Sequence, residues 1–281
     1  MTVILNANNQ LRSGWKLTAY AITFLIVRVA ADTALSFFFF GANLPDTQLA
    51  LIALNEIALL VPAVVTLLLM ARFVDRRPLT AFGVGFLPNW RRDLITGLIL
   101  AGAMLGLILL GCYAFGYVHI EWTGRQVPAS TVIATVVVLL LAAATEELMF
   151  RSFPLQILSE GLGMWPAVLI LSGMFGLLHI RNPGVTLLAA VNTGVAGILL
   201  SLAYMKTRSL WLHYSIHFGW NLGLGFILGF PLSGVDLVSL WTTGIAGSET
   251  ILGGNYGPEG GLLATFAFAS SALTVYRRNF R

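Results

Sequence analysis

The chain has 281 residues, of which 57% are hydrophobic and only 10% are charged, and its formal net charge is +4. A soluble globular domain carries about a quarter charged residues, so this composition excludes a water-soluble protein and predicts one that is covered by lipid. The lysines and arginines lie between apolar segments and form no continuous basic face. Their distribution argues against a nucleic-acid partner and indicates membrane topology instead.

Eight apolar segments are candidates for crossing a hydrocarbon core, which takes about 20 residues as a helix. In chain order they are 17–40, 48–71, 93–117, 130–152, 164–180, 185–205, 209–230 and 261–276. We therefore predict an all-α, polytopic membrane bundle of about eight transmembrane helices around a polar cavity. The short segment 79–90 lies between two basic clusters and is predicted to rest at the membrane interface.

The basic residues predict the orientation of the bundle. With eight spans both termini face the same side, and twelve of the 16 basic residues fall on that side: Arg12, Lys16, Arg72, Arg76, Arg77, Arg91, Arg92, Lys206, Arg208, Arg277, Arg278 and Arg281. Only Arg125 and Arg181 fall in loops on the opposite side. Since basic loops mark the cytoplasmic side, we predict a multi-pass protein of the cell or inner membrane with both termini in the cytoplasm.

The fourth predicted helix carries the sequence TEELMFR at 145–151. An ionisable group inside a bilayer costs several kcal/mol unless it is paired. Arg151 follows Glu147 at the i, i+4 spacing at which helical side chains meet, so an ion pair between them would leave Glu146 to face a cavity. The alternative is a charge cluster at the helix end that reaches the lipid headgroups, for which two successive carboxylates are poorly suited.

Two further helices carry histidines. His179 ends the fifth predicted helix, where a single histidine is more often interfacial than catalytic. On the seventh, His213, His217 and Asn221 recur at i, i+4 and i+8 and form one polar stripe. Such a stripe either hydrogen-bonds a neighbouring helix or faces a cavity, and two imidazoles with an amide favour the cavity. Glu56, on the second helix, could support such a site.

These groups together supply what peptide hydrolysis requires. A carboxylate can deprotonate water and a histidine can pass the proton to the leaving amine, while a further histidine and an amide can stabilise the oxyanion. Alternatively, Glu146, His179 and His217 could hold a zinc ion that activates the water. The motif H-E-x-x-H is absent, so the sequence requires no cofactor and leaves zinc possible.

Three short motifs follow in order on successive predicted helices: Glu146-Glu147-x-x-x-Arg151, Phe175-x-x-x-His179 and His217-x-x-x-Asn221. Together they resemble the CPBP family of intramembrane proteases, which includes type II CAAX prenyl endopeptidases and proteins of bacteriocin processing and immunity. The stretches 192–221 and 253–264 look like the bacterial branch of this family. The resemblance covers roughly 130–265 and specifies the motifs, whereas the N-terminal helices match in hydropathy alone.

The resemblance implies an intramembrane endopeptidase of the glutamate type. Glu146 with His179 would activate the water, and His217 with Asn221 would stabilise the tetrahedral intermediate. The substrate would be a membrane-associated peptide or a lipidated protein, handled in contact with membrane lipid. The family leaves the metal open, and whether the substrate is prenylated is open as well.

The resemblance also implies supporting roles for Glu147, Arg151 and Phe175. His213 is not part of the family pattern and is predicted to support the site from its place on the stripe. We divide the chain into an N-terminal part (1–129), with three transmembrane helices and the interfacial segment, and a catalytic core (130–281).

Two other functions are compatible with the same residues. A membrane protein that binds a peptide without cutting it, such as an immunity protein, could use the same cavity. A proton-coupled carrier could use the carboxylates and histidines as relays, although the sequence shows no inverted repeat.

The depth of the histidines poses a geometric problem. Counted from the cytoplasmic ends of their helices, His217 lies roughly 10 Å in and His179 roughly 20 Å in. Convergence therefore requires a broken or tilted fifth helix, or a loop that dips in from the far side. We expect a cone-like cavity that opens to the cytoplasm or sideways to lipid.

Overall fold

The computed structural model describes residues 3–5, 10–39, 48–114, 118–122 and 127–278. Within these ranges the protein is a bundle of helices with one small two-stranded sheet. The predicted all-α polytopic membrane bundle is confirmed. Arg125 and Arg281, which entered the prediction of orientation, lie outside the described residues.

The helices follow one another along the chain with short connections. They are α1 (Ser13–Phe38), α2 (Gln48–Leu69), α3 (Trp90–Ala114), α4 (Ala129–Phe150), α5 (Phe153–Leu162), α6 (Met164–Leu178), α7 (Leu187–Thr207), α8 (Leu210–Asn221), α9 (Glu249–Leu252) and α10 (Leu262–Arg277). Strands β1 (Val118–Trp122) and β2 (Trp241–Ile245) pair antiparallel, with Ile120 opposite Thr243.

Six helical stretches of the described chain are long and apolar enough to cross a membrane, so the protein is an integral, multi-pass membrane protein. They are Ser13–Phe38, Gln48–Asp75, Trp90–Ala114, Ala129–Leu162, Met164–Arg181 and Leu187–Thr207. The other two predicted spans correspond to shorter helices. Helix α8 has 12 residues and continues into the π-helical turn Leu222–Ile227, and α10 has 16.

Helix α5 is an element that the hydropathy did not predict. It occupies the segment between the fourth and fifth predicted spans and ends before Gly163. Its Pro154 lies at the first turn, where proline favours helix formation. Phe153, Leu155 and Ile157 are fully buried, whereas Glu160 is exposed enough to bind Arg77. This amphipathic pattern explains why a search for long apolar runs passes over the helix.

Both ends of the described chain lie at one end of the bundle, which we name the terminal face. Lys16 of α1 and Arg77 both bond the carboxylate of Asp75. Arg77 also donates to Glu160 of α5 at 2.7 Å, and Arg208 donates to Gln156 of the same helix. These contacts place the N-terminus of α1, the end of α2, helix α5 and the α7–α8 turn together. The location of this face in the cytoplasm stays a prediction.

The opposite end, which we name the loop face, consists of β1, β2, the turn 182–186 and the loop 228–261. Backbone contacts hold it together: Gly234 N donates to Tyr256 O at 3.0 Å. The fully buried Asn192 of α7 donates to the carbonyl oxygens of Glu259 and Gly261, both at 2.8 Å. Asn192 therefore fixes the loop to the bundle.

Helix α8 is positioned mainly by α3. Gly97 of α3 lies so close to it that a Cβ there would be 2.6 Å from the Leu212 carbonyl oxygen. Further along, Gly219 of α8 contacts Ala101 of α3. Because small residues let helix backbones approach, the two helices run side by side, and α8 presents its other flank to α4.

Candidate active site

Glu147 on α4 connects three other side chains of the site. Its carboxylate is fully buried and accepts hydrogen bonds from Arg151 Nη1 (3.0 Å), His217 Nδ1 (2.8 Å) and His213 Nδ1 (2.6 Å). The ion pair with Arg151 that the i, i+4 spacing predicted is present. Since an ionised carboxylate only accepts, both histidines carry a proton on Nδ1. A buried charge needs partners of this kind, because breaking such a pair costs several kcal/mol.

Glu146 points into a cavity of about 510 Å³. Its side chain is 32% exposed, whereas that of Glu147 is completely buried. Glu146 Oε2 accepts no hydrogen bond from any described residue, and it lies 3.8 Å from His217 Nε2. This separation is too long for a direct hydrogen bond, and Oε2 itself is buried, so the exposed part of the Glu146 side chain is what a water in the cavity can reach.

His179 lies where α6 ends, at the first residue of the 3₁₀ turn His179–Arg181. Its Nδ1 donates to the carbonyl oxygen of Phe175 at 2.7 Å, so Nε2 is the nitrogen that can act on a substrate. The Phe175 ring lies 4.7 Å from the His179 ring and 4.4 Å from the Arg151 guanidinium carbon. Both Phe175 and His179 line the cavity, and Phe175 connects His179 to the Glu147–Arg151 pair.

The polar stripe of α8 divides between two environments. His217 and Asn221 line the cavity, as predicted, but His213 does not. His213 is fully buried between the Glu147 carboxylate and the ring of Tyr204, whose centroid lies 5.5 Å away. The expectation that all three face one cavity was therefore wrong for His213. Eight residues of an α-helix turn about 80° beyond two full turns, which rotates His213 away from Asn221.

Glu259 is a cavity residue that the motifs did not reveal. Its Oε1 accepts from Trp220 Nε1 at 2.7 Å, and its Oε2 accepts from the backbone N–H (2.6 Å) and the hydroxyl (2.9 Å) of Ser233. All three residues line the cavity. Glu259 belongs to the loop, and the only sequence signal for it was the resemblance of 253–264 to the bacterial branch. Glu56 also lines the cavity, from α2.

The cavity extends from the middle of the bundle toward the loop face. Its lining includes residues near the start of α2 and residues of the loop-face turn and loop: Leu49, Ile52, Asn182, Leu232, Val235 and Leu237. If both termini are cytoplasmic, this direction conflicts with the expected opening to the cytoplasm. The sideways alternative is compatible with it.

The depth difference between the histidines remains along α6, whose 15 residues place His179 about 22 Å from its start. Of the alternatives that the sequence offered, the loop that dips inward is the one that the structure shows. The loop 228–261 dips inward to the same level, where Ser233 accepts a hydrogen bond from Asn182 through its carbonyl oxygen at 3.2 Å. The Phe175 ring meets the His217 ring edge-on, with 6.4 Å between centroids.

The zinc alternative requires three ligands that converge on one point. Among the described residues, no three His, Cys, Asp or Glu side chains are grouped so that they could hold a metal ion. His217 Nδ1 donates to Glu147 and His179 Nδ1 donates to Phe175, which leaves Nε2 of each ring as the nitrogen that could bind a metal. Metal dependence stays a prediction.

Comparison with known families bears on this arrangement directly. Residues 128–223 match the family model described as "Type II CAAX prenyl endopeptidase Rce1-like". This segment is similar to Rce1-like proteases. The predicted resemblance to CPBP proteases is therefore confirmed. The matched segment runs from the start of α4 to just beyond α8. It contains every residue named from the three motifs, and His213 as well. No curated protein matches the chain.

The Rce1-like match indicates a CAAX-type protease within the membrane, which acts on a protein or peptide in contact with lipid. The structure adds the arrangement of the side chains, which a sequence match does not contain. Glu147, His213, His217 and Arg151 form one closed cluster, and Glu146 lies beside it with its carboxylate in the cavity.

Proposed function

We propose that the chain is an intramembrane endopeptidase in which Glu146 activates the hydrolytic water. The observation that carries this proposal is the difference between two adjacent carboxylates. Glu147 is fully buried and accepts hydrogen bonds from three donors, whereas Glu146 lines the cavity with its side chain 32% exposed and its Oε2 3.8 Å from His217 Nε2. A general base needs access to its proton donor, and of the two carboxylates only Glu146 has it.

In the proposed reaction Glu146 takes a proton from water while the water oxygen attacks the carbonyl carbon of the scissile peptide bond. The carbonyl oxygen becomes an oxyanion in the tetrahedral intermediate. The intermediate then collapses, the C–N bond breaks, and the proton passes to the leaving amine. His179, which faces the cavity through Nε2, shares the proton with Glu146 during these steps.

His217 and Asn221 supply donors for the oxyanion. His217 Nδ1 donates to Glu147, which orients the ring with Nε2 toward the cavity. In the imidazolium form Nε2 also carries a proton, which it can donate to the oxyanion. Asn221 contributes its side-chain amide from the next turn of the same cavity wall. Donors fixed in advance by their own hydrogen bonds stabilise the developing charge most strongly, and loss of one costs roughly 100- to 1000-fold in rate.

Glu147, Arg151 and His213 hold these groups in place from outside the cavity lining, and Phe175 supports them from the cavity wall. Arg151 balances the buried charge of Glu147, and its guanidinium packs on Phe175. His213 occupies the second oxygen of Glu147. His217 therefore cannot turn away without breaking a hydrogen bond in a fully buried cluster.

Because the cavity is largely apolar, it favours a hydrophobic segment of a membrane-anchored or lipidated substrate. Leu49, Ile52 and Leu237 line its loop-face part. Whether the hydrophobic part is a peptide segment or a covalently attached lipid chain is decided by the substrate comparison below.

The experiment compares membranes that contain the wild-type protein, Glu146→Gln or Glu56→Gln, and identifies new protein termini by proteomics. Glu56 is the matched control because it is a second carboxylate of the same cavity. We expect the new termini to be lost in Glu146→Gln and retained in Glu56→Gln, with both variants folded and inserted. Wild-type cleavage by Glu146→Gln would overturn the proposal.

The same membranes distinguish a protease from a protein that only binds a peptide. A protein that only binds a peptide would keep its biological effect in Glu146→Gln and His217→Ala. Purified peptide substrates, made with and without a prenyl group, then define the substrate. If cleavage is the same for both, the cavity recognises the peptide.

A further inference from the structure

The terminal face carries a second cavity, of about 360 Å³, which shares no lining residue with the active-site cavity. We name it the Arg92 pocket. It lies between the start of α3 and the α7–α8 turn and is lined by Asn89, Arg92, Asp93, Lys206, Thr207 and Arg208. Its polar composition contrasts with the apolar wall of the active-site cavity.

The charges of the pocket favour an anion. Arg92, Lys206 and Arg208 contribute three positive charges and Asp93 one negative charge. The Asp93 carboxylate is only 3% exposed and lies 3.5 Å from Arg92 Nη2, while Arg92 is 48% exposed. Asp93 thus holds one edge of the guanidinium and leaves the pocket with a net positive charge.

Arg208 keeps most of its donors after its contact in the structure. Its Nη1 donates to Gln156 Oε1, and a guanidinium has five N–H donors in a planar fork that matches phosphate oxygens. Lys206 Nζ lies 5.2 Å from the centre of the Tyr276 ring, a cation–π contact that leaves its N–H donors available.

The backbone on both sides of the pocket adopts an unfavourable conformation. Asn89 has φ 70° and Arg208 has φ 51°, in the left-handed region. Asparagine adopts this region more readily than other residues with a side chain, whereas arginine rarely does, and outliers of this kind cluster at binding sites. At the end of α7 a glycine would serve as the cap with less strain, so the arginine brings a side chain to this point at some cost.

An aromatic cluster next to the pocket marks the membrane interface. Phe86, Trp90 and Trp211 pack together with ring centroids 5.0–5.3 Å apart, and Phe86 is 72% exposed. Tryptophans are enriched where acyl chains meet headgroups. A pocket beside such a cluster is expected at the level of phospholipid phosphates, with the exposed aromatic surface available to acyl chains.

We propose that the Arg92 pocket binds the phosphate of an anionic phospholipid and thereby joins α3 to the α7–α8 turn. Basic pockets between transmembrane helices recognise such headgroups. The turn leads directly into α8, which carries His217, so the lipid would stabilise the end of the bundle from which the active-site helix begins. A free phosphate ion has the same chemistry, and the test distinguishes it from the lipid.

The test uses the full-length protein in nanodiscs of phosphatidylcholine alone or mixed with phosphatidylglycerol. Unfolding is followed by tryptophan fluorescence. We expect phosphatidylglycerol to raise the Tm of the wild-type protein by about 3 °C. The double variant Arg92→Gln/Lys206→Gln should lose this rise, and native mass spectrometry should show its retention of phosphatidylglycerol reduced roughly tenfold or more.

Arg72→Gln is the matched control, because Arg72 is an exposed basic residue of the same face that does not line the pocket. It should keep the full rise. Equal Tm in both lipid mixtures, or an undiminished rise in the double variant, would overturn the proposal. Whether the bound phosphate belongs to a lipid or is a free ion is tested by adding inorganic phosphate or glycerol 1-phosphate at millimolar concentration to the phosphatidylcholine nanodiscs. No rise supports the lipid, and a rise equal to that of phosphatidylglycerol would overturn it in favour of a free anion.

Discussion

The two ends of the bundle are stabilised by different kinds of interaction. The terminal face is joined by charged side chains, with Asp75 bonded to both Lys16 and Arg77. The loop face is joined mainly through backbone atoms of the loop: Gly234 N–H donates to Tyr256 O, and two loop carbonyls accept from the Asn192 side chain. Side-chain bridges tolerate small shifts because their partners are flexible, whereas backbone contacts fix the positions of the atoms themselves.

The active-site cavity lies toward the end of the bundle that is joined through backbone atoms. The cavity extends toward the loop face, where Glu259 connects the loop to Trp220 of α8. We infer that the loop face needs exact backbone placement because it forms a wall of the site. The terminal face needs only to hold the ends of the helices together.

The largest effect is expected at Glu147, where α4 and α8 meet between the two ends. Glu147→Gln replaces one acceptor oxygen by an amide N–H₂, so a buried donor loses its partner and Arg151 loses its counter-charge. We expect a loss of about 3 kcal/mol in unfolding free energy together with loss of cleavage. Chemical unfolding in detergent and the terminus assay measure these.

Glu146→Gln is the control for that experiment, since its carboxylate lies in the cavity and makes no buried ion pair of hydrogen-bonding length. It should lose cleavage and keep its stability. If Glu147→Gln were as stable as Glu146→Gln, the buried cluster would not hold the helices together.

The loop face is tested by Gly257→Ala. Gly257 has φ +92°, and a Cβ there would lie 2.0 Å from the carbonyl oxygen of Pro231. We expect about 2 kcal/mol of destabilisation and a clear loss of cleavage, because the loop that carries Glu259 must move. Gly102→Ala is the matched control: it lies in α3 with nothing within 4 Å of its Cβ and should be neutral or slightly stabilising. Equal effects of the two variants would contradict a rigid loop face.

The terminal face is tested first at Asp75, whose side chain is only 2% exposed. Asp75→Asn removes the charge that Lys16 and Arg77 share and should cost about 1–2 kcal/mol of unfolding free energy. Cleavage by the folded protein should stay near the wild-type level, because no cavity residue is touched. A loss of cleavage as large as that of Gly257→Ala would show that the two ends do not differ as described.

The smallest effect is expected for the pair Arg77–Glu160, whose side chains are 32% and 38% exposed. A double-mutant cycle with Arg77→Gln and Glu160→Gln should give a coupling below about 1 kcal/mol, since exposed pairs are screened by solvent. The coupling should shrink further in high salt. A coupling energy that does not change with salt would indicate that Arg77 and Glu160 are less exposed to solvent than they are in the structure.

Local patterns in the sequence predicted the parts of the site that lie within one helix. The Glu147–Arg151 pair followed from i, i+4 spacing, and the shared position of His217 and Asn221 followed from the stripe on α8. The helical bundle followed from hydropathy, because each crossing must satisfy its own backbone hydrogen bonds in lipid.

Features that depend on packing between distant segments could not be predicted in this way. Glu259 reaches Trp220 and Ser233 from elsewhere in the chain, and no periodicity records such a contact. His213 binds Glu147, 66 positions earlier in the chain. That His213 faces away from the cavity therefore depends on where α4 lies. His179 followed from the family motif alone, since a histidine at a helix end has no pattern of its own.

The direction of the cavity has a consequence for the sidedness of the reaction. A hydrolytic site divides its substrate into two fragments, and the polar fragment leaves through the nearest polar exit. With the cavity running to the loop face and the termini predicted to be cytoplasmic, that exit lies on the non-cytoplasmic side. Cleavage would then release the polar product from the membrane on the side opposite to the two termini.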